Sequence, residues 1–508
     1  MQLTQSVHKA VRERPEDVAT IFEGQHTTHA AFADRVARIA AVLRQKGIQP
    51  GDRIAILAEG SDRYVQILFA IWWAGGVINP VNARWSVAEI AYSLRDSETT
   101  ILFVDSAFAE VAAELRLETP SLETVIHMDA GADGDNLDQL LQQATPVVDA
   151  MRRNDDLAAI MYTGGTTGFP KGVMLSHRAL VAGAMSTLAS APHPGDLPSL
   201  HVAPFFHIGG LAAIVQYALR AAPQVIIAAF DEPTALRLIE ECKIADIFVV
   251  PTMLRRLLDH PDRSSRDCSS LRSVRYGAAP IDSALLADAM EAFPDAGFYH
   301  LYGQTENSPM ISILPPADHT TDPDVPRMRS AGRSIVGCEV RIVDGGGQEV
   351  PVGYVGQIAV RGPMMMDGYW NKPDETAKAI VDGWLMTGDA GRMDENGNLY
   401  ILDRVKDMII SGGENIYSTE VENALSTFPG VVLCAVIGKP DPEWGEAVHA
   451  VIQTVDGADL DRDALTAHCR ERIAGYKRPR SYEFVSAMPL SPAGKILKRD
   501  LREAMERA

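Results

Sequence analysis

Apolar residues recur at helical spacing early in the chain, at Phe32, Val36, Ile39 and Leu43, with Gly47 following as a stop. Gly51-Asp52 then turns the chain into Arg53–Ala58, an apolar run that predicts a strand. Ser61 caps a second helix through Trp73, which Gly75-Gly76 ends, and Ile101–Val104 and Val125–Met128 predict further short strands. The alternation continues with a helix from about Ser176, strands Leu200–Ala203 and Val225–Ile227, helix Pro233–Cys242 and strand Ile247–Val250. Strands alternating with helices imply an α/β fold with largely parallel, doubly wound sheets.

After about residue 330 the texture changes. Short strands Glu339–Val343, Gly356–Val360 and Leu399–Leu402 stand between Gly- and Asp-rich turns, which predicts a small antiparallel subdomain. From Arg404 the pattern is mixed: helix Thr419–Ser426, strands Val431–Ile437 and Val448–Thr454, a helix near Asp461–Ile473, and strand Tyr482–Val485. That is a self-contained α+β unit of about a hundred residues. No internal repeat or low-complexity segment interrupts the chain.

A chain of 508 residues can bury a large core and form two or more domains. A net charge of −20 without a long basic run argues against a nucleic-acid surface. The five cysteines (Cys242, Cys268, Cys338, Cys434 and Cys469) are widely separated and show no metal-ligand spacing, as expected of reduced thiols in a cytoplasmic protein. Met1-Gln-Leu-Thr-Gln does not open a secretory signal. Ile67–Ile78 is too short to span a bilayer, and Gln216, Arg220, Pro223 and Gln224 interrupt Leu211–Phe230, so no integral membrane segment is expected.

The chemistry gathers around Tyr162-Thr-Gly-Gly-Thr-Thr-Gly-Phe-Pro-Lys-Gly-Val-Met174, which follows a short strand-like run, Leu157–Met161. Gly164, Gly165 and Gly168 keep the backbone open to an anion, Thr163, Thr166 and Thr167 add hydroxyls, and Lys171 adds a charge on a long arm. The set suits a polyphosphate. It is not the loop of kinases and ATPases, which needs Gly-Lys-[Ser/Thr], because Lys171 lies between Pro170 and Gly172. The stretch resembles the phosphate-binding signature of the adenylate-forming superfamily: acyl- and aryl-CoA synthetases, luciferases and peptide-synthetase adenylation domains. Gly164 departs from that pattern, where a second Ser or Thr is usual.

Further motifs follow in the family's order. In His300-Leu-Tyr-Gly-Gln-Thr-Glu306, Tyr302 offers a flat face, Gly303 permits close backbone approach, and Thr305 and Glu306 are hard oxygen groups. The resemblance implies that this segment stacks adenine, contacts the α-phosphate through Thr305 and holds Mg²⁺ through Glu306. Tyr276-Gly277-Ala278-Ala279-Pro280 resembles the adenine-side loop, with Ala278 where Gly is more usual. Asp389 in Gly383–Gly391 and Arg404 correspond to the two ribose contacts, and Lys406 to the hinge about which the C-terminal domain turns. Gly412-Gly413 corresponds to the loop lining the pantetheine channel, and Lys495 in Leu490–Lys498 to the lysine that stabilises charge as the carboxylate attacks phosphorus. His207 and Gly210 in Pro204–Gly210, with Ala278 and Gly303, fall on the acyl-binding segments. Gln357 replaces a common Glu in a turn without touching the chemistry.

The resemblance therefore implies a large N-terminal ATP- and acid-binding domain over 1–403 and a small mobile C-terminal domain over 404–508, hinged near 403–406. It implies an ATP-dependent acid–CoA ligase working with Mg²⁺ and coenzyme A on an uncharged monocarboxylic acid of small to medium size, either fatty or aryl (cinnamate-like). The chain is expected to be cytoplasmic, with a homodimer as one option. Rivals are an adenylation enzyme loading a carrier protein, a luciferase-like oxygenase and a non-catalytic nucleotide sensor.

Overall fold

The computed structural model describes residues 1–129, 135–163, 170–279, 281, 283–320, 325–412, 414–455, 460–490 and 496–507. The first apolar stripe forms the helix His29–Gln45, which buries Phe32, Val36, Ile39 and Leu43. Ser61 caps the helix Asp62–Ala74 by accepting the Tyr64 N–H at 3.1 Å, and Gly75 ends it at φ 98°. By compactness the chain divides into two units, Met1–Val340 with Val360–Leu385, and Arg341–Ala359 with Met386–Ala508. The expected boundary at 403 falls inside the second unit, because compactness groups residues of the small antiparallel region with the C-terminal α+β unit.

Among the described residues, the first unit carries two large sheets. One runs in the order Gly368–Tyr369, Lys171–Ser176, Leu157–Thr163, Val77–Pro80, Arg53–Leu57, Ile101–Val104, Thr124–His127 and Asp135–Asn136. Its middle is parallel, as the βα alternation predicts. Lys171–Ser176, which the sequence did not mark as a strand, folds back antiparallel on Leu157–Thr163 and is itself paired by Gly368–Tyr369.

The other sheet is parallel through Gln224–Ile226, Ser199–His201, Asp246–Val249, Ser273–Gly277 and Gly297–Gly303. Met310–Leu314 then returns antiparallel beside Gly297–Gly303. Helices Glu232–Glu241, Pro251–Asp259 and Ser283–Ala292 bury leucines and isoleucines against it. A charged cluster lies within this core. Fully buried Asp246 accepts from Arg275 at 2.8 Å and from Tyr217, and Arg275 also donates to the Ala191 carbonyl at 3.0 Å. Burial opposes the Asp246 charge, but the neighbouring Arg275 and His193 hold its carboxyl well below the usual range.

The strand Trp384–Met393, which continues from the first unit into the second, meets Leu399–Arg404 antiparallel, with Asp389 opposite Arg404. A further sheet runs Glu414–Ile416, Ile409–Ser411, Gly445–Thr454 and Val431–Asp441, with Ser481–Val485 parallel to Gly445–Thr454. Helices Ser418–Ser426 and Arg462–Arg470 supply Val421, Leu425, Leu465 and Cys469 to its core. Near its C-terminal end the chain forms the helix Lys498–Arg507.

Candidate active site

Thr163 and Lys171 are cross-strand partners, so the candidate phosphate loop is the connection of an antiparallel hairpin. Gly164, Gly165, Thr166, Thr167 and Gly168 lie outside the described residues, as do Pro280, Gly413 and Lys495. The hairpin strands are braced. The Tyr162 hydroxyl donates to the Asp96 carboxylate at 2.6 Å, and the Trp370 indole donates to the Asp96 carbonyl at 2.8 Å. The Trp370 N–H reaches the Gly172 carbonyl at 2.8 Å.

Lys171 and Glu306 converge on one residue that the sequence reading did not single out, Tyr369. Its hydroxyl donates to the Glu306 carboxylate at 2.9 Å, while the Lys171 ammonium lies over its ring, 5.1 Å from the centroid. Lys171 also pairs with Glu375 at 2.6 Å, and Lys378 pairs with the other oxygen of Glu375 at 2.9 Å. The two ammonium groups, Lys171 first, hold the Glu375 carboxyl down at about 2. Thr376 in the same helix, Pro373–Ala379, accepts the Tyr369 backbone N–H at 2.9 Å and so anchors the backbone that carries the ring.

Thr305 and Glu306 sit on one 3₁₀ turn directly after the strand Gly297–Gly303, which also carries Tyr302. Gly303 opposes Met310 where the next strand doubles back. A Cβ there would stand 1.8 Å from the Pro309 carbonyl oxygen, so only glycine lets the chain turn at this point. Gly277 pairs with Leu301, and Ala278 follows in the left-handed region at φ 65°. That conformation explains why glycine suits the position and marks Ala278 as strained.

A stacked aromatic layer supports these turns. Tyr276 and His300 lie 5.0 Å apart and nearly parallel, and the Tyr276 hydroxyl contacts His319 Nε2 at 2.9 Å. His319 Nδ1 faces the Pro315 carbonyl at 2.9 Å, so it carries the proton and Nε2 accepts from Tyr276. Burial lowers the pKa values of both histidines, that of His300 to about 4. On the acyl-binding segment, His207 precedes the helix Ile208–Arg220, with its ring 4.6 Å from Phe206. Gly209 lies against the Phe248 ring, and Gly210 against the Pro204 carbonyl.

In the second unit, buried Asp389 pairs with the more exposed Arg404 at 2.9 Å, the two facing across adjacent strands. Asp403, beside Arg404, accepts from the Ser418 N–H at 2.5 Å and from its hydroxyl at 2.6 Å. Partial burial, then Arg404 and Arg502, lowers the Lys406 pKa against the opposing pull of Asp407. Gly412 has φ 60° and donates to the Trp444 carbonyl at 2.8 Å, and a Cβ there would meet the Trp444 ring at 2.8 Å. The Arg480 guanidinium stacks 4.3 Å above that ring.

Among the described residues no three His, Cys, Asp or Glu side chains are grouped to hold a metal. Glu306 as a single carboxylate fits a Mg²⁺ ion bound chiefly through phosphate oxygens and water. No described helix is long and apolar enough to cross a membrane.

Residues 7–370 match the model of the AMP-binding enzyme family, and residues 420–495 match that of the AMP-binding enzyme C-terminal domain. The chain belongs to the AMP-binding enzyme family. It is 38% identical to a feruloyl-CoA synthase of Amycolatopsis sp. over 97% of each chain. It is 37% identical to the fatty acid–[acyl-carrier-protein] ligase ScoC of Streptomyces coeruleorubidus, over 99% of this chain and 96% of that one. Among solved structures, the o-succinylbenzoate CoA synthetase MenE of Bacillus subtilis, in complex with its acyl-adenylate intermediate, is similar with a TM-score of 0.87 and 30% identity. The match covers 98% of this chain and 97% of that one. The protein is an acid–CoA ligase that uses ATP and CoA, with Mg²⁺ as the usual partner.

Proposed function

We propose that this ligase activates an uncharged monocarboxylic acid with an aryl, cinnamate-like tail, and that fatty acids are its second substrate class. The acid's carboxylate attacks the α-phosphorus of ATP, forming acyl-AMP and releasing pyrophosphate. The CoA thiolate then attacks the acyl carbon, forming the thioester and releasing AMP. Two steps are needed because a carboxylate becomes a useful electrophile only when its oxygen is part of a good leaving group.

The roles divide along the chain. Lys171 and the loop Thr163–Gly168 take the phosphates, Thr305 meets the α-phosphate, and Glu306 holds Mg²⁺. Gly277–Pro280, Tyr302 and Gly303 receive adenine, and Asp389 and Arg404 receive the ribose. Lys495 stabilises charge during adenylation, Gly412-Gly413 line the path of pantetheine, and Lys406 is the hinge between the domains 1–403 and 404–508. The observation that carries the reading is the joining of Lys171 and Glu306 through Tyr369, which puts a cation and a metal-binding carboxylate on one platform.

The acyl-binding segments support the substrate class. The family's acyl pocket corresponds to Phe205–Leu211, Val249–Met253, Tyr276–Pro280, Leu301–Gly303 and the region of Met310, and the four ranges bring apolar surface without any Lys, Arg, Asp or Glu. A second charge on the acid would lose its hydration without gaining a partner, at a cost of several kcal/mol. The similarity to a feruloyl-CoA synthase favours an aryl tail. The test is kcat/KM over benzoate, a hydroxycinnamate, hexanoate, octanoate, palmitate and a dicarboxylate. Preference for the dicarboxylate would overturn the substrate class.

Delivery to a carrier protein is the second reading, favoured by the similarity to ScoC. Product formation with CoA and with a carrier protein, measured side by side, separates the two. The five cysteines are free, which fits the reducing cytoplasm. Sedimentation analysis would test the homodimer.

A further inference from the structure

The phosphate-site lysine is already occupied. Lys171 bonds Glu375 at 2.6 Å, although its proposed ligand is a polyphosphate that needs the same ammonium. The pair is partly open to solvent, with 22% of the lysine side chain and 35% of the glutamate side chain exposed. Such pairs are weak enough to be exchanged. Two neighbours suit such an exchange. The Tyr369 ring, 5.1 Å from the Lys171 ammonium, is a second support that remains when the carboxylate leaves. Lys378 already holds the second oxygen of Glu375 at 2.9 Å, so the released carboxylate keeps a cation of its own.

We propose that Glu375 is a positioning residue that holds Lys171 in the nucleotide-free enzyme, yields it to the β,γ-phosphates of ATP, and takes it back as pyrophosphate leaves. The proposal rests on the reading of Lys171 as a phosphate ligand. A carboxylate carries one negative charge and a magnesium-bound polyphosphate more, so the polyphosphate wins the competition, but at a lower net affinity than an unoccupied lysine would give. Lys378 lowers the cost of the exchange by neutralising the displaced group. The arrangement keeps the site from binding pyrophosphate so tightly that the product lingers.

The experiment uses the full chain and measures binding of MgATP, magnesium pyrophosphate and AMP by calorimetry, with KM for ATP alongside. Glu375→Gln is expected to tighten MgATP and pyrophosphate by about two- to fivefold, the scale of an exposed ion pair. Its effect on AMP, which lacks the β,γ-phosphates, should be smaller. Lys378→Met is expected to shift the same two affinities in the opposite direction, and high salt should shrink both changes. A purely structural role for Glu375 would not produce shifts of opposite sign from Glu375→Gln and Lys378→Met. Glu375→Ala with a melting curve guards against misfolding of a single variant. Unchanged or weakened polyphosphate binding in folded Glu375→Gln and Glu375→Ala would overturn the proposal. Lys171→Met separates the two ideas. If it weakens polyphosphate binding while Glu375→Gln does nothing, only the role of Glu375 fails; if it changes nothing, the phosphate reading of Lys171 fails and Glu375 falls with it.

Discussion

The Tyr369 hydroxyl donates a 2.9 Å hydrogen bond to the Glu306 carboxylate across 63 residues of sequence. Tyr369→Phe keeps the ring under Lys171 and removes this bond. Hydrogen bonds to charged groups contribute about 1.5–3 kcal/mol, so the orientation of Glu306 should suffer measurably. The expected outcome is an apparent Mg²⁺ requirement raised by roughly tenfold. Glu306→Gln should raise it further. Acid-dependent pyrophosphate exchange titrated with magnesium measures both, and an unchanged titration would leave the metal to phosphates and water alone.

Lys495→Ala should reduce acid-dependent pyrophosphate exchange by roughly 10²-fold, the scale for losing a positioned charge in a transition state. Conversion of supplied acyl-AMP to acyl-CoA should be largely spared. Equal losses in the two half-reactions would remove Lys495 from the adenylation step.

The opposite split is expected around Gly412. Gly412→Ala places a Cβ against the Trp444 ring at a left-handed backbone position, which costs about 1–2 kcal/mol in conformation alone. Gly413→Leu should obstruct the pantetheine path, and Lys406→Pro should restrict the hinge by fixing φ. All three variants should still form acyl-AMP but release acyl-CoA slowly, as single-turnover assays with and without CoA would report.

Ala278 at φ 65° offers a stability test in the other direction. Ala278→Gly should relieve about 1 kcal/mol of backbone strain and raise Tm slightly. Gly303→Ala should do the reverse and more, since its Cβ would overlap the Pro309 carbonyl. Thermal melts of the two variants should therefore move in opposite directions.

His177, His201 and His300 are held neutral by burial, each with its pKa lowered from 6.5 to about 4. The unfolded chain binds these protons more readily than the folded one. Their full contribution to stability is therefore present above about pH 6.5 and is lost as the pH falls toward 4. Each group contributes a slope of about 1.4 kcal/mol per pH unit within that window. Denaturant midpoints between pH 4 and 7 should fall with decreasing pH, and a flat profile would contradict the burial of these rings.

Features set by neighbouring residues were legible in the sequence. The Ser61 cap, the Gly75 stop and the strand Ile101–Val104 depend on local sterics and hydrogen bonds, and they stand where expected. The family was legible because its motifs are short runs of sequence, and the family match over residues 7–370 bears that out. Glu375 was not, because its meaning depends on Lys171, 204 residues away. Tyr369 and Asp96 were missed for the same reason: a tyrosine in a two-residue strand, or an aspartate at a helix end, reads alike whether or not a distant stretch supplies its partner. Lys171–Ser176 escaped notice as a strand because its glycine and lysine carry weak β preference, and pairing on both sides decides it.

The division of the chain into two interleaved units limits how the protein can be taken apart. The polypeptide enters the second unit after Val340, returns for Val360–Leu385, and leaves again at Met386. No single cut yields both units whole. A fragment ending at residue 403 would keep Arg341–Ala359 and Met386–Asp403 without the rest of their unit, and one beginning at 404 would lack them. By compactness an exchange of C-terminal parts between relatives meets three crossings of the chain, whereas the proposed hinge near 403–406 offers a single joint, and melting curves of grafts made at either place tell which division leaves a folded body whole.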